Sequence, residues 1–298
     1  MTLVATLIAN PDRPAITGAV LTDARDALGT AHPPRLLHHG IAAECLVDAD
    51  PEQAPELTAR LREALTGQPI DVAVLPAGPH RRKRLFLADM DSTMIEQECI
   101  DELADVLGIK AQVSAITERA MQGEIAFGPA LRERVALLKG LPATAADDLI
   151  ATRIVLTPGG RTLVATMKAH GAYTCLVSGG FTLFTGPIAE MLGFDETRAN
   201  RLDLTAGALS GTVAEPIVGA ETKRATLLEL RQRLGLVTED TMAVGDGAND
   251  LAMLGEAGLG VAFRAKPAVA AAAHVRIEHG DLTALLYLQG FSAAEFVG

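Results

Sequence analysis

The sequence predicts an α/β protein: a mostly parallel sheet covered on both faces, with helices inserted after its first core strand and a small α+β unit in front. Three observations predict it. After residue 85, short apolar runs alternate with helical stretches, and uninterrupted apolar strands mark a parallel sheet buried on both sides. About 80 residues separate the first two of those runs, whereas an ordinary crossover needs one helix. Before residue 85 the patterns run β-α-β(β)-α-β, which suits a separate two-layer unit.

Taken in order, residues 3–9 (LVATLIA) read as a strand and 14–29 as a helix. RLLHHGIAAECLV at 35–47 is strand-like, with Gly40 able to turn it. Residues 52–66 look helical and 69–76 (PIDVAVLP) form the next strand. A Pro/Gly break and the basic run Arg81, Arg82, Lys83 and Arg84 mark a boundary, read as a solvated flank dividing 1–80 from 81–298. LFLAD at 85–89 is the first core strand. The stretch 94–155 is mainly helical, and an insertion at the C-terminal end of that strand caps the crevice where open α/β sheets bind ligands. A helix over 159–170 stops at Gly171, and YTCLV at 173–177 is a buried strand leading to Ser178-Gly179-Gly180. Residues 201–213 suggest a hairpin and 221–234 an amphipathic helix. TMAVG (241–245), GLGVAF (258–263), VRIE (275–278) and a helix near 281–288 complete the series.

Composition removes several function classes. Apolar residues make up 49% of the 298, enough for substantial cores, and 28 glycines with 15 prolines are near average, against disorder or collagen. A net charge of −11 and 3% aromatics exclude a broad nucleic-acid surface, which needs basic excess and stacking platforms. Cys45, Cys99 and Cys175 share no CxxC spacing, and Cys175 reads as core. The opening MTLVATLIANPDRP lacks the basic segment and apolar core of a signal peptide. No stretch approaches the ~20 apolar residues that span a bilayer. A cytoplasmic protein without a membrane partner is expected.

The chemistry concentrates in aspartates. Asp89 and Asp91, in LFLADMDST, follow one apolar strand, and Asp246 and Asp250, in VGDGAND, follow another. Two acidic strand ends can face each other, with Gly245 and Gly247 permitting tight turns. Clustered carboxylates repel and call for a cation; an oxygen-only donor set favours Mg²⁺. That ion also suits a phosphoryl group. Ser178 and the Gly179 N–H can meet an anion, and Lys223, in the first turns of a helix, can neutralise a transferred phosphoryl oxygen. Its neighbour Arg224 faces elsewhere on that helix. Neither GxxxxGK[ST] nor GxGxxG is present, which disfavours a bound nucleotide.

At these residues the sequence resembles haloacid-dehalogenase (HAD)-type phosphohydrolases and, within them, the phosphoserine phosphatases. The matching pieces are DMDST (89–93), ECIDELA (98–104), RVALLKG (134–140), SGGF (178–181), Lys223 and GDGANDLAM (245–253), within a resemblance spanning about 85–290. It implies a Rossmann-like HAD core with a helical cap at about 98–157. For residues 1–80 it implies a small ferredoxin-like, ACT-like accessory unit. By the same resemblance Asp89 is the nucleophile, and Asp91 protonates the departing serine oxygen and then helps water attack. Mg²⁺ would sit on Asp89, the Asp91 carbonyl and Asp246, with Asp250 orienting that shell. Ser178, Gly179 and Lys223 would hold phosphate oxygens, assisted by Asn249. Glu98 would take the substrate ammonium, and Arg134, in an apolar helical stretch, its carboxylate; Arg132 is the local competitor. Met121 and Phe127 are expected on an apolar cap surface near the substrate. Proximity to Asp89 is expected to raise the pKa of Asp91.

The implied reaction is hydrolysis of O-phospho-L-serine to L-serine and phosphate, the last step of serine synthesis. Another small phosphorylated amino alcohol, such as phosphohomoserine, stays open as substrate of a phosphatase or phosphotransferase. A noncatalytic amino-acid sensor is the reading from a different class. L-Serine as effector of residues 1–80, and a homodimer, are also left open.

Overall fold

The computed structural model describes residues 2–121 and 124–298, without the side chain of Met121. Its first unit comprises β1 (Thr2–Ala9), α1 (Gly18–Leu28), β2 (Arg35–His38), β3 (Ala42–Asp48), α2 (Ala54–Ala64) and β4 (Ile70–Pro76). The strands pair antiparallel in the order β2-β3-β1-β4, the ferredoxin-like arrangement. Thr17 starts α1 by accepting the Val20 N–H at 3.3 Å, and Gly29 ends it at φ 64°. Leu3, Ala5, Leu7 and Ala9 of β1 pack with Val20, Ala24 and Leu28 of α1 and with Leu57 and Leu61 of α2. Ile8 joins Leu37, Ile41, Ala42 and Ala73 in the core of the larger unit, together with Tyr287, Leu288 and Phe291. Both faces of the sheet are therefore buried, which is why β1 reads as a continuous apolar run.

The second unit begins with β5 (Leu85–Ala88), followed by a turn over Met90–Met94 that the Ile95 N–H closes on Met90 O at 3.1 Å, with Asp91 and Ser92 outside helical conformation. Next come α3 (Cys99–Val106), α4 (Lys110–Met121), α5 (Phe127–Leu137) and α6 (Ala145–Thr152). A short neck closes this helical insertion: Ile95 bridges Leu156, and Glu96 N–H donates to Val155 O at 3.0 Å. Then follow α7 (Gly160–Ala169), β6 (Tyr173–Phe181), α8 (Thr182–Leu192), β7 (Glu196–Asn200), β8 (Leu202–Thr205) and β9 (Ala208–Val213). The last elements are α9 (Ala220–Arg233), β10 (Thr241–Gly245), α10 (Leu251–Glu256), β11 (Leu259–Phe263), α11 (Pro267–Ala272), β12 (Val275–Ile277) and α12 (Ala284–Leu288).

Six parallel strands form the order β12-β11-β10-β5-β6-β7. Phe86, Leu176, Val244 and Val261 face one core, and Leu87, Val177, Ala243 and Ala262 the other. The fold class is the expected one: a Rossmann-like core, a helical insertion after its first strand and a ferredoxin-like unit in front. The hairpin β8–β9 touches the inserted helices through Gly140 N–H to Leu209 O (2.8 Å) and Leu209 N–H to Leu141 O (2.8 Å).

Three details depart from the sequence reading. α8 was not foreseen, because Gly186 and Pro187 inside TLFTGPIAEML read as breakers. β7, ETRAN, was not foreseen either: as an edge strand it keeps a polar, half-buried composition. The basic run is only in part a solvated flank: Arg82 and Arg84 are exposed, whereas Arg81 and Lys83 are partly buried. Arg81 meets Glu44 Oε2 at 2.7 Å and Leu288 O at 3.1 Å. Arg82 meets Glu295 at 2.6 Å and lies over Phe291, while Lys83 Nζ donates to Glu239 O at 2.7 Å. Of these, the Arg81–Glu44 pair joins the two packed units, while Arg82 and Lys83 find partners within the second.

Candidate active site

Around β5 the sheet order reverses, so the C-terminal ends of β5, β6, β10 and β11 open onto one crevice. A cavity of about 460 Å³ lies there under the inserted helices. Asp89, leaving β5, is 4% exposed; its N–H donates to Val244 O at 3.0 Å, tying it to β10. In the turn that follows, Ser92 is held at φ 54° and Asp91 lines the cavity.

Lys223, in the first turn of α9, is fully buried, with Nζ 2.7 Å from Asp89 Oδ1 and 2.7 Å from Asp250 Oδ1. Asp250 Oδ2 also accepts the Gly247 N–H at 3.1 Å. A Cβ on Gly245 would run into the Asp250 carboxylate, so that position requires glycine. Oxygens of Asp89, Asp246 and Asp250 lie within 4.8 Å of one another, a carboxylate cluster consistent with a divalent-metal site. The donor set fits a hard cation, since all its atoms are carboxylate oxygens.

Burial and the nearby charge of Asp250 push the Asp89 carboxyl well up, against the pull of Lys223. Lys223 is held protonated by Asp89 and Asp250 despite its burial. Two carboxylates thus share one ammonium and leave negative charge for a cation to offset. Asp246 is raised to about 6 by burial and then by Asp250 and Glu98. Asp91 is pushed up to about 7, in the expected direction, but burial is the first cause and Glu98 the leading charge rather than Asp89.

Ser178 and Gly179 lie near the end of β6, with Gly180 N–H donating to Ser178 Oγ at 2.9 Å. A Cβ on Gly180 would come within 2.9 Å of Asp91 Oδ2. Asn249 lines the same cavity from the loop after β10. From the inserted helices come Glu98, Phe127 and Arg134. Glu98 accepts from Ser92 Oγ at 2.7 Å. Arg134 is partly buried, bonds only neutral oxygens of Ala130 (3.3 Å) and Thr117 (3.2 Å), and makes no ion pair among the described residues. Arg132 faces outward and pairs with Glu215, while Arg224 pairs with Glu256, so neither competes for the cavity. Phe127 reaches across to the main chain of Gly179, 3.3 Å from where a Cβ would sit. The side chain of Met121 lies outside the described residues. Every other residue expected at the site lines this cavity or, for Lys223 and Asp250, lies buried against Asp89.

The model of haloacid dehalogenase-like hydrolases matches residues 86–255. A phosphoserine phosphatase of Polaromonas sp. (strain JS666) is 49% identical over 210 residues, 69% of this chain and 89% of that protein. The chain belongs to the phosphoserine phosphatase family of haloacid dehalogenase-like hydrolases. A HAD family hydrolase of Salmonella enterica serovar Typhi has the same fold at a TM-score of 0.85 and 31% identity, over 97% of this chain and 98% of that one. A phosphoserine phosphatase solved as a phospho-aspartyl intermediate analogue is 40% identical, with a TM-score of 0.64 over 69% of this chain and 98% of that one. Two longer curated relatives are matched over 62% and 63% of their own length.

The structure also places beside the site residues that the sequence did not single out. Asn200, 1% exposed at the end of β7, donates to Gly179 O (2.8 Å) and Val218 O (3.0 Å) and accepts from Val218 N–H (2.7 Å). It ties the Ser178-Gly179 segment to the start of α9, and it was missed because β7 was missed. Thr93 Oγ1 reaches Asp246 at 3.4 Å, and the Cys99 N–H reaches Asp91 Oδ1 at 3.3 Å. Lys266, after β11, lines the cavity beside Asp246. Nothing in a single sequence separates it from an exposed loop lysine. All three cysteines are free and buried, and no helix among the described residues is long and apolar enough to cross a membrane.

Proposed function

We propose that this chain hydrolyses O-phospho-L-serine to L-serine and phosphate through an aspartyl-phosphate on Asp89, with Mg²⁺ as cofactor. The observation that carries this reading is a cavity lined by Asp89, Asp91, Glu98 and Arg134, whose guanidinium makes no ion pair among the described residues. That set of charged groups around one cavity suits a small molecule bearing a phosphate, a carboxylate and an ammonium. Residues 1–80 are read as an accessory unit and 81–298 as the catalytic one, with the cap at about 98–157.

Arg134 clasps the substrate carboxylate and Glu98 accepts from its ammonium, which orients the phosphoester toward Asp89. An Asp89 oxygen attacks phosphorus, and the bond from phosphorus to the serine oxygen breaks. Asp91, whose burial favours the protonated form, gives its proton to that leaving oxygen. Asp91 then accepts a proton from water as the water oxygen attacks phosphorus, and the Asp89–phosphorus bond breaks to release phosphate. Lys223, Ser178 and the Gly179 N–H stabilise phosphoryl oxygens throughout. Asp89, the Asp91 carbonyl and Asp246 would hold Mg²⁺, oriented by Asp250, and the ion supplies charge neutralisation for an anion approaching an acidic site.

The test is phosphate release with Mg²⁺ from L-phosphoserine, phosphohomoserine, phosphothreonine and an aryl phosphate. L-Phosphoserine should be preferred, that preference should collapse in R134A, and D89N should be inactive with no phosphoaspartate trapped. Equal use of all four substrates would sink the substrate assignment, and normal turnover by D89N the mechanism.

A further inference from the structure

The N-terminal unit meets the turn after β12 through a buried carboxylate. Asp71, the second residue of β4, is 4% exposed and takes no part in the reaction outlined above. It accepts four hydrogen bonds from three consecutive backbone N–H groups in the turn after β12. Glu278 N–H donates to Oδ1 at 2.8 Å and Gly280 N–H to Oδ2 at 2.8 Å, while His279 N–H lies 3.2 Å from Oδ1 and 3.0 Å from Oδ2. Asn10 Nδ2, from the same unit, holds His279 O at 2.9 Å. Successive N–H groups form a concave anion site, and here the carboxylate of the neighbouring unit fills it.

The clamped turn continues toward the cavity. Gly280 O accepts Arg264 Nη2 at 3.2 Å, and the Arg264 N–H donates to Ile277 O at 2.8 Å. Arg264 sits at φ 44°, a left-handed conformation that a bulky residue keeps only where its surroundings over-determine it. Two residues later the Lys266 N–H donates to Asp246 O at 3.3 Å. Asp246 is one of the three clustered carboxylates, and Lys266 lines the cavity beside it.

We propose that Asp71 is a positioning residue for the cation site: by fixing the 278–280 turn it holds Arg264 in its left-handed bend and seats the Lys266 segment against the Asp246 loop. Its meaning for catalysis rests on the proposed Mg²⁺-dependent reaction; the linkage itself is read by metal binding alone.

The experiment measures Mg²⁺ binding to metal-free full-length protein by calorimetry, without substrate, for wild type, D71A, R264A and D71A/R264A. H38F is the control: it removes the 2.7 Å His38–Tyr287 hydrogen bond at the same interface and touches none of these contacts. D71A and R264A should each weaken Mg²⁺ binding about 2- to 30-fold, the range for changes along a connected chain of contacts. The double variant should bind no more weakly than the worse single one, because both act on one path. H38F should lower thermal stability without changing Mg²⁺ affinity. Unchanged affinity in R264A overturns the proposal even where D71A fails to fold, and so do losses that multiply in the double variant. A wild type that binds Mg²⁺ but releases no phosphate from L-phosphoserine overturns the function and leaves the binding comparison intact.

Discussion

At the scale of single residues, Lys223 shows how context decides a role. A lysine early in an amphipathic helix is ordinarily a solvated one, yet here its ammonium is fully buried between Asp89 and Asp250. K223M should lower kcat about 10²–10³-fold, the usual cost of losing one charge-stabilising donor. It should also depress the thermal midpoint, since two buried carboxylates lose their shared partner. Steady-state kinetics and a melting curve on one preparation check both. R134A should act differently, raising KM for L-phosphoserine about 10- to 100-fold, as loss of a charged hydrogen-bonded partner implies. Its turnover of an aryl phosphate should stay near wild type, because that substrate offers nothing for Arg134 to hold. The four aspartates and Ser178 were legible because acidic and glycine-rich motifs followed apolar strands, and Lys223 through its place early in a helix and the family resemblance. Lys266 and Thr93 were not, because ordinary residue types reveal themselves only by where they sit.

At the scale of elements, legibility followed burial. Strands β5, β6, β10 and β11 are buried on both faces and read directly as apolar runs. The edge strand β7 and the Gly-Pro-interrupted α8 did not, and Asn200 was lost with them. N200A should orphan Gly179 O and both groups of Val218, costing about 1–3 kcal/mol for each buried group left unsatisfied. Because the Ser178-Gly179 segment then loses its tie to α9, KM should rise along with the loss of stability. An N200A variant that melts earlier yet keeps wild-type KM would show that Asn200 serves the fold alone.

At the scale of the whole molecule, the N-terminal unit is built into the enzyme. Glu44, 5% exposed, bonds Arg81 and Arg35 at 2.7 Å each, and Arg81 is itself largely buried. E44A should therefore cost about 3 kcal/mol, the lower end for breaking a buried pair, read as a lowered urea midpoint. Deleting residues 1–80 would uncover Tyr287, Leu288 and Phe291, so the truncated protein should aggregate or melt early. Regulation by that unit is better tested with point variants. Acid stability has a separate source. Burial raises Glu196, but hydrogen bonds from Arg233, Arg198 and Tyr173 outweigh it and hold the carboxyl at about 2 against 4.5. A depressed folded-state pKa contributes stability above the unfolded value, lost as pH falls from about 4.5 toward 2. E196Q should flatten that acid limb and lower the thermal midpoint above pH 6 by a constant amount, without changing its slope there, measured as thermal midpoint against pH.

The sequence by itself determined the fold class, the order of the core strands along the chain and the acidic motifs at their ends. Those depend on local pattern: apolar runs for buried strands, glycines for tight turns, aspartates where a strand stops. Only the tertiary structure decided which charges pair. It placed Arg81 inside an interface, put Arg134 in the cavity and Arg132 outside it, and seated Asp71 on a turn 207 to 209 residues away. Pairing depends on distance and burial, and neither is set until the two units and the cap have packed.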